Sequence, residues 1–161
     1  MTQQIRPVRP GDEVELTAMI QELAEFERAA DECTVTPEQL RDALFGDSPT
    51  VFGHLAEIDG EAAATALWFR NFSTWDGVAG IYLEDLYVRP RFRRRGLARA
   101  MLSTLARECV DAGYTRLSWA VLNWNENAIA LYDAVGGQPQ RDWTTYRVSG
   151  PELSALAEPS A

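Results

Sequence analysis

The sequence contains no lysine. Each of its 15 basic residues is arginine, set against 24 acidic residues for a net charge of −9. A Schiff-base lysine or a phosphate loop built on Gly-Lys-Ser/Thr is therefore excluded. There is one histidine, His54, and there are two cysteines, Cys33 and Cys109, far apart and matching no metal-ligand spacing. No metal is expected, and both cysteines read as free spectator thiols. No apolar run approaches the ~18–20 residues of a membrane span. The N-terminus starts polar and continues into Arg6-Pro7, unlike a secretory leader. A soluble cytoplasmic protein is expected. Internal repeats, low-complexity tracts and an interdomain linker are also lacking.

What is present is enough for one real core. The chain has 161 residues, 46% of them hydrophobic, with 5 Trp, 5 Tyr and 6 Phe. This suits a single domain, placed over 1–150 with a tail over 151–161, and argues against disorder. The charge is unevenly spread. Six arginines, Arg89, Arg91, Arg93, Arg94, Arg95 and Arg99, fall in one window without an acid, which leaves −15 on the remainder. One local anion site on an acidic body fits better than a nucleic-acid surface, which spreads its basic charge widely.

Periodicity and punctuation predict the order β-α-α-β-β-β-α-β-α-β. Ile5–Arg9 reads as a strand. Asp12 is placed as the N-cap of a helix carrying Val14, Leu16, Met19, Ile20, Leu23 and Phe26. Thr36-Pro37-Glu38-Gln39 is a second helix start, with a capping box and a proline at its first position, and Gly46 ends it. Val51–Ile58 and Glu61–Arg70 flank Asp59-Gly60, a type I′ hairpin pair. Asn71–Ala79 reads as a loop and Gly80–Val88 as a strand. After Gly96, Ala98, Met101, Leu102, Leu105, Ala106 and Cys109 form one helical stripe, stopped by Gly113. Thr115–Leu122 reads as a strand, Asn125 as the cap of a helix ending at Gly136-Gly137, and Trp143–Val148 as a last strand. The tail is expected to be a frayed helical turn or disordered. The whole is an α/β (α+β) domain with a mixed sheet.

The stretch from Leu83 to Arg99 carries the chemistry. A buried strand, Leu83-Glu84-Asp85-Leu86-Tyr87-Val88, enters a turn rich in arginine, and the turn opens a long helix at Gly96. Helix N-termini offer unpaired N–H groups and a positive dipole end. Consecutive turn N–H groups form an anion nest, and Gly96 lets a phosphate approach the backbone. The segment reads as a pyrophosphate cradle built without lysine, and it lacks the Gly-x-Gly-x-x-Gly of dinucleotide sites. The plainer alternative is an exposed basic helix start that binds nothing.

Arg93-Arg94-Arg95-Gly96-Leu97-Ala98 resembles the acetyl-CoA motif of the GNAT N-acetyltransferases, and Asn125, Ala128 and Tyr132 match that family's Asn-x-x-Ala-x-x-x-Tyr signature. Ile5-Arg6-Pro7, Gln21–Glu27, Tyr82-Leu83-Glu84-Asp85 and Trp124-Asn125-Glu126 are further similar to the diamine (spermidine/spermine) acetyltransferase subgroup. The resemblance implies the GNAT fold, a mostly antiparallel twisted sheet splayed at the acetyl-CoA site between the strand ending at Val88 and the one ending near Leu122. It implies a homodimer, acetyl-CoA bound along Leu86, Tyr87 and Val88, over Arg93, Arg94, Arg95, Gly96, Leu97, Ala98 and Arg99, and against Asn125 and Ala128. Tyr132 is the implied general acid for the leaving thiolate. Glu84 is the implied binder and base for the substrate ammonium. Because Glu84 and Asp85 are adjacent on a strand, only one is expected to face the site. Phe26, Glu27 and Trp119 are the implied substrate contacts, with Asp31, Glu32 and Trp75 as possible additions.

The expected activity is direct acetyl transfer to a small primary amine, diamine or polyamine-like, with no nucleic acid, membrane or metal involved. Other amines remain open as acceptors: a thialysine-like amino acid, an aminoglycoside, a protein N-terminus or a lysine. So does a non-catalytic CoA-binding domain.

Overall fold

The computed structural model describes residues 1–160. Its five strands, β1 (Gln3–Pro7), β2 (Phe52–Ile58), β3 (Glu61–Ser73), β4 (Val78–Val88) and β5 (Leu117–Trp119), form one sheet in the order β1-β2-β3-β4-β5. The first three pairings are antiparallel and the β4–β5 pairing is parallel. Five helices accompany the sheet: α1 (Glu13–Phe26), α2 (Pro37–Phe45), α3 (Leu97–Ala112), α4 (Glu126–Ala134) and α5 (Gly150–Ala157). Short 3-10 turns lie at Ala30–Glu32 and Pro90–Phe92.

The local signals act as their chemistry dictates. Thr36 accepts from Gln39 N while the Gln39 side chain accepts from Thr36 N, and Pro37 opens α2. Asp59 and Gly60 both take positive φ, at 51° and 80°, so β2 and β3 join through the expected tight hairpin. Along α3, Leu97, Met101, Leu102, Leu105 and Cys109 are buried against one face of the sheet with Ala64, Ala66, Ile81 and Leu83. On the other face α1 and α2 supply Leu16, Met19, Leu40 and Leu44 to a second cluster with Leu55, Leu67 and Tyr87. His54 is a satisfied core residue. Its Nδ1 accepts from Trp68 Nε1 at 3.2 Å, and burial holds its pKa below the usual imidazole value.

Several expectations are corrected. Asp12 does not cap α1 with its side chain. Its carboxylate instead accepts from Arg9 N and from the Arg6 guanidinium, which also reaches Glu57. The loop placed at Asn71–Ala79 shrinks, because β3 and β4 keep pairing out to Ser73↔Val78. β5 is only three residues long. Trp143–Val148 forms no strand: it is exposed and pairs with none of the five strands. In place of a frayed turn, residues 150–157 form the helix α5, none of whose residues is buried.

Candidate active site

β4 and β5 pair only from Ile81↔Leu117 to Leu83↔Trp119. Beyond that point they diverge, while β4 remains paired to β3 out to Val88↔Ala64. One edge of Glu84–Val88 is thus left without a β5 partner. The gap opens into a cleft of about 450 Å³, closed by the end of α1, the turn into α3 and the inner face of α4.

A β-bulge shapes its floor. Leu67 pairs with Asp85 and Trp68 with Leu83, so Glu84 is the extra residue. The bulge shifts the strand's phase. Ile81 and Leu83 belong to the cluster beneath α3, and after the bulge it is Leu86 and Val88 that pack there while Tyr87 faces α1. The expectation that only one of Glu84 and Asp85 faces the site is therefore wrong: both line the cleft, joined by Glu27 from the end of α1. Asp85 lies deeper than the exposed Glu84. Burial, with Glu84 and Glu27 adding like charge, pushes its pKa up to about 6. Burial also raises that of Glu27.

The opposite wall is an anion seat. Arg94 and Gly96 both take left-handed backbone, φ 61° and 76°, and α3 begins at Leu97 with no side chain capping its free N–H groups. Gly96, Leu97, Ala98 and Arg99, the residues of this helix start, line the cleft. No atom lies within 4 Å of where a Gly96 Cβ would stand. An uncapped helix start, an unpaired strand edge and free arginines suit an extended ligand with phosphates at one end.

The arginine cluster divides in the fold. Arg93, Arg94 and Arg99 line the cleft. Arg89 instead ties β4 to α1, pairing with Glu15 and, at 2.8 Å, with Glu22. Arg91 pairs with Glu61. Arg95 turns toward the Met1 sulfur and the Phe92 ring, away from the cleft wall. The local anion site is thus three arginines strong rather than six.

Across the cleft, Asn125 caps α4 through Ala128 N at 3.3 Å, and both line the wall with Tyr132. Burial and Glu27 raise the Tyr132 pKa, so its hydroxyl keeps its proton at neutral pH. Trp119 lies beneath it: the rings meet at 5.1 Å and 59°, and Trp119 supports Tyr132 from outside the cleft wall. Phe26 and Glu27 line the cleft. Asp31 and Glu32 sit on an exposed 3-10 turn outside it, and Trp75 is 86% exposed at the β3–β4 turn. Phe92 and Leu131 are wall residues that the motifs did not single out, and Asp85, weighed against Glu84 in the Tyr82–Asp85 motif, lines the wall with it. Only an alternation break at Glu84 could have exposed Asp85, and pairing partners are needed to see one.

A sheet parted at β4–β5 over an uncapped helix start suits a ligand with an extended arm and phosphates at one end, as coenzyme A has. A profile of the acetyltransferase (GNAT) family matches residues 16–136, and the chain belongs to that family. It is an acetyl-CoA-dependent N-acetyltransferase. It is similar to a thialysine N-epsilon-acetyltransferase of Caenorhabditis elegans, 41% identical over 96% of this chain and 97% of the relative. A thialysine N-epsilon-acetyltransferase of Bos taurus is 35% identical over 95% and 96%. Among solved structures, an integron cassette protein from the mobile metagenome of V. cholerae superposes with a TM-score of 0.83, at 22% identity and 99% coverage of both chains. That last likeness is one of fold.

Proposed function

We propose that this enzyme acetylates the side-chain amine of a small diamino acid of the thialysine type, with carboxylate-free diamines as weaker acceptors. The observation that carries the reading is the meeting, in one cleft, of three carboxylates, a protonated tyrosine and an uncapped helix N-terminus. The full-length similarity to thialysine acetyltransferases supports the amino acid over the polyamine.

Acetyl-CoA brings an activated acetyl thioester. The α3 N–H groups, Arg94 and Arg99 hold its phosphates, and the free edge of Leu86–Val88 holds the extended arm. Glu27, Glu84 and Asp85 gather the substrate ammonium. An amine of pKa near 10 is mostly protonated at pH 7 and must lose a proton before it attacks. The Glu84–Asp85 pair takes that proton, and Glu84, the solvent-facing member, releases it. The neutral amine bonds to the acetyl carbon, the C–S bond breaks, Tyr132 donates its hydroxyl proton to the departing sulfur, and the second proton released by the new amide nitrogen restores the phenol. Such transfers are worth ~10²–10⁴-fold each. No covalent acyl-enzyme is needed.

The working unit in this reading is a homodimer. Trp143–Val148 has strand composition but no partner, with Trp143 73% and Tyr146 91% exposed, and α5 beyond it exposes Leu153 and Leu156. A second copy of the chain supplies a sheet edge for this arm and cover for its apolar residues.

Release of free CoA from acetyl-CoA against thialysine, lysine, ornithine, putrescine, spermidine, an aminoglycoside and a peptide N-terminus tests the function. Turnover led by thialysine or another diamino acid is expected. Turnover confined to spermidine or the aminoglycoside overturns the acceptor class. Tight CoA binding with no turnover on any amine overturns the enzymatic reading.

A further inference from the structure

We infer that Arg28 is the receptor for the acceptor's α-carboxylate and sets the preference for a diamino acid over a diamine. This rests on the acceptor reading above and adds the residue that enforces it.

α1 ends at Phe26, and Glu27 is its C-cap. Arg28 then takes φ 61°, a left-handed conformation uncommon for a side chain that is neither glycine nor asparagine. Phe26 and Glu27 line the cleft, whereas Arg28 and Trp124, each next in sequence to a lining residue, do not; the Arg28 guanidinium lies 4.4 Å from the Trp124 ring centroid. Trp124 immediately precedes Asn125, the α4 cap, and its ring stands 5.8 Å from Phe26. Arg93 covers the Phe26 ring at 5.1 Å. Arg93, Phe26, Trp124 and Arg28 thus form a continuous row of contacts from the turn before α3 to the start of α4, the two rings inclined by 53°.

The two ends of this row differ. Arg93 is engaged, donating from Nε to the Val88 carbonyl at 3.0 Å. Arg28 has no carboxylate within 4.0 Å among the described residues, in a chain where acids outnumber arginines 24 to 15. Its fork is pre-positioned by the indole and free to accept an anion, and a planar guanidinium suits a carboxylate in bidentate fashion. It also follows Glu27 directly in sequence. Acid cluster and free cation are therefore neighbours, an order that matches a molecule with an ammonium at one end and a carboxylate at the other. Both acceptors bring an ammonium to this end, but only the amino acid brings with it the carboxylate that pairs with the guanidinium.

The test compares thialysine with its decarboxylated counterpart, bis(2-aminoethyl) sulfide, on the full chain at saturating acetyl-CoA. Arg28→Asn keeps a residue that tolerates left-handed backbone, and Arg28→Lys keeps the charge. For Arg28→Asn, KM for thialysine is expected to rise about 10–100-fold with kcat little changed, as for loss of a charged hydrogen bond. KM for the diamine should hold or fall, and Arg28→Lys should recover part of the thialysine affinity. Equal losses on both acceptors, or no loss on thialysine, overturn the role of Arg28 while leaving the acceptor reading intact. A wild-type enzyme that favours the diamine overturns both, and one that acetylates neither overturns the acceptor reading and the inference with it.

Discussion

Tyr132 and Trp119 meet at 5.1 Å with their rings inclined by 59°, so the hydroxyl that faces the cleft stands on an aromatic base beside β5. The contact fixes the ring while leaving the oxygen free. Tyr132→Phe should therefore keep the fold and the acetyl-CoA affinity but lower kcat about 10²-fold or more. Calorimetric titration of acetyl-CoA with steady-state rates checks this, and an unchanged kcat would remove the hydroxyl from the reaction.

Asp85 gives a pH signature. Its pKa lies near 6 in the fold against 3.8 for a free side chain, because burial and two neighbouring acids disfavour the anion. Between those values the native state holds more protons than the unfolded state, so this residue makes stability fall as pH rises from about 4 to 6. Above that window the cost is at its full size, up to about 3 kcal/mol. Asp85→Asn should accordingly unfold at higher denaturant than wild type at pH 7, with the difference closing near pH 4. In the rate profile, losing either Glu84 or Asp85 should raise the pH needed for activity. Chemical denaturation across pH and kcat/KM profiles for both variants decide it.

Gly96 holds left-handed backbone at the start of α3 with open space beside it. Gly96→Val should cost about 1–2 kcal/mol from the conformation and fill room in the anion seat. Acetyl-CoA should bind about tenfold weaker or worse. Retained affinity in a folded variant would move the phosphates elsewhere.

Arg89 joins β4 to α1 through Glu15 and Glu22 and also donates to the Ala62 carbonyl at 3.2 Å. Arg89→Met leaves two acids facing one another without their cation. A loss of about 2 kcal/mol is expected, below that of a fully buried pair because Glu15 and Glu22 are partly solvated. Urea unfolding measures it.

The arm makes the assembly testable. Trp143→Asp with Tyr146→Asp should convert a dimer seen by light scattering into a monomer. A wild-type monomer, or an unaltered dimer in the variant, would reject the arm as the contact.

Legibility followed the range of each interaction. The Thr36–Gln39 capping box, the Asp59-Gly60 turn and the α3 stripe involve residues within one or two turns of each other, and the sequence places them well. The Gly96 turn was readable for the same reason. The bulge at Glu84 was not, since it exists only relative to β3. Nor was the division of the arginine cluster: Arg89 and Arg91 count as local charge until Glu15, Glu22 and Glu61 arrive from distant segments. Trp143–Val148 has the composition of a strand, but a strand also needs pairing, and this segment joins none of the five strands.

The bulge at Glu84 also works as a phase step. Residues before it and after it obey opposite parity rules, and Glu84 alone makes the change. Without Glu84, Asp85 would follow Leu83 in plain alternation, with Leu86 and Val88 still toward α3 and Tyr87 still toward α1. The bulge is thus a spare residue: β4 can lose it and keep its register, and what the cleft loses is one carboxylate.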